Sequence, residues 1–234
     1  QPLAGYGITF TIGRGNDIVC MAAREIVNRL IGRDVDQMVA DMGGTYLSLC
    51  SDSQLRWLGP EKGVVHLALS AVMNAAWALA GRLAGKPVWR LLADMTPEQL
   101  VDIADLRYLA DVLPRERALE ILRKAEPGKA ERIADLEAKG YPAYTTAAGW
   151  LGYSDEKMLR IIAEQEQLGF TAVKLKVGAN LADDIRRCRK AREAIGPDRP
   201  LMIDANQVWD VPTAIEWVNA LKEFDLRWNE EPTS

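Results

Sequence analysis

The chain has 234 residues, 48% hydrophobic and 26% charged, with 29 basic against 33 acidic side chains and a formal net charge of -4. That balance excludes a disordered polymer. Because both signs are spread along the sequence, it also excludes the basic stripe that a nucleic-acid backbone or an anionic membrane surface demands. The length accommodates one large domain or two modest ones.

The three cysteines, Cys20, Cys50 and Cys188, are odd in number and far apart, with no metal-ligand spacing. They read as buried thiols of a reducing compartment, expected to be cytoplasmic. The sequence opens on Gln1 with no basic-then-apolar leader, so a fragment of a longer protein is expected.

In chain order, "GYGITFTIG" (5–13) alternates like a strand, and "NDIVCMAAREIVNRLIG" (16–32) has helical periodicity, with Asn16 or Asp17 as cap and Gly32 as stop. The "GRGND" turn between them contains a GxG but no third glycine, which argues against a dinucleotide site and for a simple turn. "GVVHLALSAVMNAAWALAG" (63–81) carries no Asp, Glu, Lys or Arg and is long enough to span a bilayer. His66, Ser70 and Asn74 recur every fourth position and make one stripe polar, so a buried helix of a soluble domain is predicted, with His66 a core or interface residue. Helices are also predicted for 96–113, 115–125 and 129–140, the last stopped by Gly140. Trp57, Trp77, Trp89 and Trp217 read as packing residues of these and later helices, whereas Trp150, after a strand, could face substrate.

From Lys139 the pattern becomes a regular alternation. Strands are predicted at "YPAYTT", "TAVKLKV", "PLMIDANQ" and "LRWNEEP". Helices are predicted at "SDEKMLRIIAEQEQLG" with Ser154 as cap, at "LADDIRRCRKAREAIG", and at "VPTAIEWVNALKEF" with Pro212 in its first turn. Strands joined by helices of this length lie parallel. Lys176 and Asp204 are 28 residues apart and Asp204 and Glu230 are 26 apart, a near-constant repeat that suits a barrel. The expected fold is α/β: a partial α+β capping domain over 1–139, then the first four β/α units of a truncated TIM-like barrel over 140–234.

Parallel barrel strands are normally apolar on both faces, so each charge at a strand end needs a reason. Lys174 and Lys176 share a face of one strand, Asp204 and Asn206 share a face of the next, and Glu230 closes the third. Facing inward, they converge at the carboxyl-terminal mouth, where barrel enzymes keep their chemistry. Two carboxylates on neighbouring strands offer the hard oxygens that Mg²⁺ takes, and a lysine tuned downward can act as a base. Mutual salt bridges that only tie the mouth together are the alternative. Buried ion pairs seldom stabilise relative to apolar packing, which argues against it.

The strings "KLK" at 174–176, "DAN" at 204–206 and "EEPT" at 230–233 resemble the enolase superfamily in its mandelate-racemase-like branch. "TFTIGRGND", "QLRWLGPEKGV", "GWLGYSDEK" and "DDIRRCRKAREAIGPD" extend the resemblance to L-fuconate dehydratases over nearly the whole chain. The resemblance implies a lyase that converts L-fuconate to 2-keto-3-deoxy-L-fuconate. It makes Lys176 the base for the α-proton and Lys174 its partner at the substrate carboxylate, depressing the pKa of Lys176. Asp204 and Glu230 become Mg²⁺ ligands and Asn206 a substrate contact. Glu231 reads as a supporting residue and not a ligand, because adjacent strand residues face opposite ways. The family's third metal ligand and its histidine acid have no counterpart in this sequence. A small sugar acid is thus the expected partner, in a homo-oligomer without nucleic acid or membrane. Sibling racemases and cycloisomerases, or a non-catalytic truncated product with an exposed edge at "LRWNEE", remain the other readings.

Overall fold

The computed structural model describes residues 3–59 and 63–234. Gln1, and Pro60 to Lys62 of the "QLRWLGPEKGV" string, lie outside the described residues. The chain forms two compact units, one reaching Ala138 and the other spanning Lys139–Ser234.

The first unit is helical: α1 Asn16–Asn28, α2 Val35–Ala40, α3 Met42–Cys50, α4 Gly63–Leu83, α5 Val88–Asp94, α6 Pro97–Ile103, α7 Arg115–Ala125 and α8 Lys129–Lys139. α4 is long and apolar enough to cross a membrane by length and composition. In this fold its Val65, Ala68, Leu69, Val72, Met73, Ala76 and Ala80 are buried in one core with Val19 and Ile26 of α1 and Leu49 and Cys50 of α3. The small residues that kept its hydropathy moderate are what let its neighbours close in.

Four expectations for this unit change. Residues 5–13 form no strand: 5–11 have no regular secondary structure and the chain bends at Ile12 and Gly13. Gly5 and Gly7 instead press on the Ala75 and Ala71 carbonyls of α4, where a Cβ would overlap. Tyr6, Ile8, Phe10 and Ile12 are left exposed. The predicted helix over 96–113 stops at Ile103, although Thr96 and Gln99 form a capping box at its start. Beyond it Asp105 Oδ1 accepts the Arg107 N–H at 3.2 Å, a local turn that competes with continuing the helix. Cys20 is exposed, unlike Cys50 and Cys188. Trp57 and Trp89 are exposed, the former at 77%, and so pack no core.

The second unit runs α9 Asp155–Gln167, β1 Val173–Lys176, α10 Leu181–Ile195, β2 Leu201–Asp204, α11 Val211–Leu221 and β3 Leu226–Glu230. Ser154 caps α9, accepting the Lys157 N–H at 3.3 Å. Asn180 caps α10, and Asp210 caps α11 with Pro212 in the first turn. The strands form a parallel sheet in the order β1-β2-β3. The predicted strand "YPAYTT" is reduced to one bridge, Thr145 to Val173, made by Thr145 N–H to Ala172 O and Lys174 N–H to Thr145 O. Val173, Leu175, Leu201 and Ile203 face the helices and pack with Met158, Ile162, Cys188, Ala191 and Leu221. Fully burying such side chains contributes about 1.5–3 kcal/mol each. This layer fixes one face of every strand, and so dictates which residues look the other way.

Candidate active site

The last residues of the three strands stand in one row: Lys176 pairs in register with Asp204, and Asp204 with Glu230. Register alone would not have produced this. Leu201 of β2 pairs with Leu226, yet Ile203 pairs with Asn229, so β3 carries one extra residue between these pairs. That irregularity reverses which face the following residues present. It turns Trp228 and Glu230 to the side of Asp204, and leaves Asn229 against the helix side with its Oδ1 buried and unpartnered.

Four charged side chains meet on that side. Lys176 Nζ donates to Asp204 Oδ2 at 2.6 Å. Lys174 Nζ donates to both oxygens of Glu230 at 2.7 Å and lies 3.6 Å from Asp204 Oδ2. Lys174 is 5% exposed and Asp204 2%, whereas Glu230 is partly open. Two ammoniums balance two carboxylates. At Asp204 burial pushes the carboxyl up, but Lys176, the Asn206 N–H and Lys174 outweigh it and hold it below its ordinary range. At Lys174 burial pushes down, and the hydrogen bonds to Glu230 and Tyr144 more than reverse it. Lys174 is thereby held as an ammonium, the form expected of a partner for the substrate carboxylate.

Asn206 reaches this quartet through its backbone, donating its N–H to Asp204 Oδ1 at 2.9 Å. Its side-chain amide donates instead to Glu231 Oε2 at 3.2 Å, and Gln207 Nε2 donates to Glu231 Oε1 at 3.1 Å. Asn206, Gln207 and Glu231 all have positive φ, between 44° and 63°. Glu231 thus ties two strained strand ends together and does not join the row.

Of the neighbouring side chains, sequence reasoning singled out only Trp150; Tyr144, Trp228, Arg187 and Asp184 left no signal that it used. Tyr144 OH accepts from Lys174 at 3.1 Å, and Trp228 Nε1 donates to Glu230 Oε2 at 3.3 Å. Trp150 lies with its ring 5.9 Å from Lys176 Nζ and is half exposed. Behind the row Arg187, 2% exposed, donates to the carbonyls of Lys176 at 2.6 Å, Gly149 at 2.8 Å and Trp150 at 3.2 Å. Asp184, fully buried, lies 3.8 Å from it and accepts from Gly178 N–H and Trp217 Nε1. A buried arginine in a helical pattern of charges is invisible to periodicity.

As a metal site the row is partial. Among the described residues no group of three or more His, Cys, Asp or Glu side chains converges. Asp204 and Glu230 nonetheless fit a hard divalent ion, since they place anionic oxygens side by side and such an ion draws further ligands from water or substrate.

Residues 157–234 match the family described as enolase C-terminal domain-like. This chain belongs to the enolase superfamily. Its fold superposes on human mitochondrial enolase superfamily member 1 with a TM-score of 0.87 at 51% identity, covering 100% of this chain and 53% of that one. L-galactonate dehydratase of Hypocrea jecorina is 51% identical over 234 residues, 99% of this chain and 52% of the relative. L-talarate/galactarate dehydratase of Salmonella typhimurium, liganded with Mg and L-lyxarohydroxamate, superposes with a TM-score of 0.65 at 28% identity, over 98% of this chain and 46% of that one. The chain spans about half the length of the curated relatives it matches.

Proposed function

We propose that this superfamily chain contributes the base side of a Mg²⁺-dependent acid-sugar dehydratase that converts L-fuconate to 2-keto-3-deoxy-L-fuconate. The observation that carries it is the row itself, with Lys176 2.6 Å from Asp204 and Lys174 bridging both oxygens of Glu230. L-Fuconate is 6-deoxy-L-galactonate, so it shares its reacting carbons with the substrate named for the 51%-identical relative. Turnover of both acids is expected, with C6 distinguishing them.

In this reading Lys174 stays charged and holds the substrate carboxylate, and Lys176 Nζ accepts the α-proton. The electron pair released from that C–H bond delocalises onto the carboxylate. It then returns to form the C2–C3 double bond as the C3–O bond breaks; the departing hydroxide gains one proton, balancing the one that Lys176 took, and leaves as water, and the resulting enol ketonises by moving its hydroxyl proton to C3. A magnesium ion held by Asp204 and Glu230 would supply fixed positive charge where the carboxylate becomes dianionic. Arg187 keeps the Lys176 main chain in place, and the Glu231 tie keeps the Asp204 loop closed. The setting is a reducing compartment, the cytoplasm on the cysteine argument or the mitochondrion by analogy with the human relative. A homo-oligomer without nucleic-acid or membrane partners completes the proposal.

The test is release of 2-keto acid from L-fuconate and L-galactonate by the full-length protein, with Mg²⁺ and after chelation, and by its Lys176→Ala variant. Turnover that needs Mg²⁺ and disappears in the variant supports the reading. Exchange of the α-proton into solvent deuterium on other acid sugars only would move the assignment to a sibling racemase or dehydratase. No exchange on any would leave a non-catalytic chain.

A further inference from the structure

Tyr144 approaches the quartet from outside the three-stranded ladder. Its neighbour Thr145 is buried against the helices, its Oγ1 donating to Gln165 Oε1 at 2.9 Å, and Thr145 pairs with Val173. Side chains alternate along extended chain, so Tyr144 faces the opposite side, the side of Lys174. There its ring lies 4.8 Å from Lys174 Nζ and meets the Trp228 ring edge-on at 5.5 Å. Trp228 in turn donates to Glu230, so one aromatic bracket holds the Tyr144 ring and the Lys174–Glu230 pair together.

The hydroxyl of Tyr144 accepts from Lys174 at 3.1 Å. An ammonium has no lone pair to offer in return, so the phenolic proton must point away from it. Among the described residues no acceptor takes that proton, and the side chain is partly exposed. The result is a donor with a fixed ring and an open hydrogen, next to the cation that would hold the substrate carboxylate.

We propose that Tyr144 is a substrate-contacting residue of this site, its O–H donating to the carboxylate oxygen on which charge grows as the α-proton leaves. The inference rests on the dehydratase reading and adds a residue to it. Tyr144 transfers no proton: the α-proton goes to Lys176, and the phenol remains protonated throughout. A donor aimed at developing charge contributes more in the transition state than in the ground state, so its loss falls on kcat more than on KM.

The experiment compares Tyr144→Phe and Tyr144→Leu with the unsubstituted full-length protein, on L-fuconate and L-galactonate. It reads kcat, KM, α-proton exchange into deuterium, the isotope effect on 2-deuterated substrate, and the thermal midpoint. Phe keeps the ring over Lys174 and against Trp228, whereas Leu removes both. Expected for Tyr144→Phe is a drop of about 100-fold in kcat and in exchange, with a larger isotope effect and KM changed by less than about threefold. Its thermal midpoint stays unchanged. Activity of Tyr144→Phe within about threefold of the unsubstituted protein overturns the proposal. So does a loss of activity that follows a lowered midpoint equally in both variants. If the unsubstituted protein neither dehydrates nor exchanges any acid sugar, the dehydratase reading itself has failed and this inference falls with it. Exchange limited to other sugars keeps Tyr144 in place on a different substrate.

Discussion

If the quartet exists for chemistry and not for stability, removing a whole ion pair should cost the fold little, while removing half of it should cost much. The Lys174–Glu230 pair permits that test. Lys174 is 5% exposed, and without Glu230 its ammonium keeps only Tyr144 OH at 3.1 Å and a more distant Asp204 oxygen at 3.6 Å. Breaking a buried pair costs about 3–5 kcal/mol; here the partner carboxylate is partly hydrated, so about 2–3 kcal/mol is expected for Glu230→Leu. At about 2–4 °C per kcal/mol for a protein of this size, that lowers the thermal midpoint by about 4–12 °C. The double variant Lys174→Met, Glu230→Leu replaces the pair with apolar groups of similar volume. It should return to the unsubstituted midpoint or exceed it by a few degrees, with α-proton exchange abolished. Differential scanning calorimetry on the two single variants and the double completes the cycle. A double variant as unstable as Glu230→Leu would refute the reasoning and make the pair a structural clamp.

Arg187→Met should lower the midpoint by the equivalent of about 3 kcal/mol, because the Lys176, Gly149 and Trp150 carbonyls each lose a hydrogen bond from a buried guanidinium; Arg187→Lys should recover only part of this, since a single ammonium cannot fork among the three. Asp184 is raised above its ordinary value, first by burial, against the pull of Gly178, Trp217 and Arg187. Its contribution is therefore full below its unfolded value near 3.8 and is lost as pH rises through the higher folded value. Midpoints measured from pH 4 to 7 should accordingly shift in favour of Asp184→Asn relative to the unsubstituted protein as pH rises, and a constant gap would refute this. Brief iodoacetamide treatment of the native protein should label Cys20 and spare the buried Cys50 and Cys188; burial pushes the Cys188 thiol up to about 12. Equal labelling of all three by mass spectrometry would contradict the burial pattern.

The barrel unit was legible in sequence because two different periods meet there. Short strands of four or five residues alternate with capped helices, and the Ser154 cap and the first-turn Pro212 stand where the pattern put them. The charged strand ends were legible as violations of an apolar rule. The capping unit was less so. Alternation in "GYGITFTIG" reports extended backbone but says nothing about a partner, and two of its glycines serve a close approach to α4 that no local pattern reveals. Helical periodicity across 96–113 ran through Asp105, whose side chain closes a turn instead. Tyr144 and Arg187 were missed because each acts through a contact tens of residues away in sequence, and Trp228 because only the irregularity in β3 turns it to the side of the site.

The extra residue in β3 shows why a motif can be right for an incomplete reason. Equal spacing of Lys176, Asp204 and Glu230 along the chain implies three similar β/α units, but equal units do not oblige the third residue to face the first two. Had β3 paired without its irregularity, Asp204 would stand opposite Asn229, and Glu230 would face the other side. Burial supplies the drive for the shift. Leu226 packs with the helix-side core, Glu230 takes both hydrogen bonds from Lys174, and the two needs differ in face parity across four residues. The cost is visible at Asn229, whose side-chain oxygen is buried without a partner. An orphaned polar atom costs about 1–3 kcal/mol, a penalty hard to justify by stability alone. It is set against a carboxylate delivered to the one position where it completes the row, which is the pattern expected where a strand is bent to serve a site.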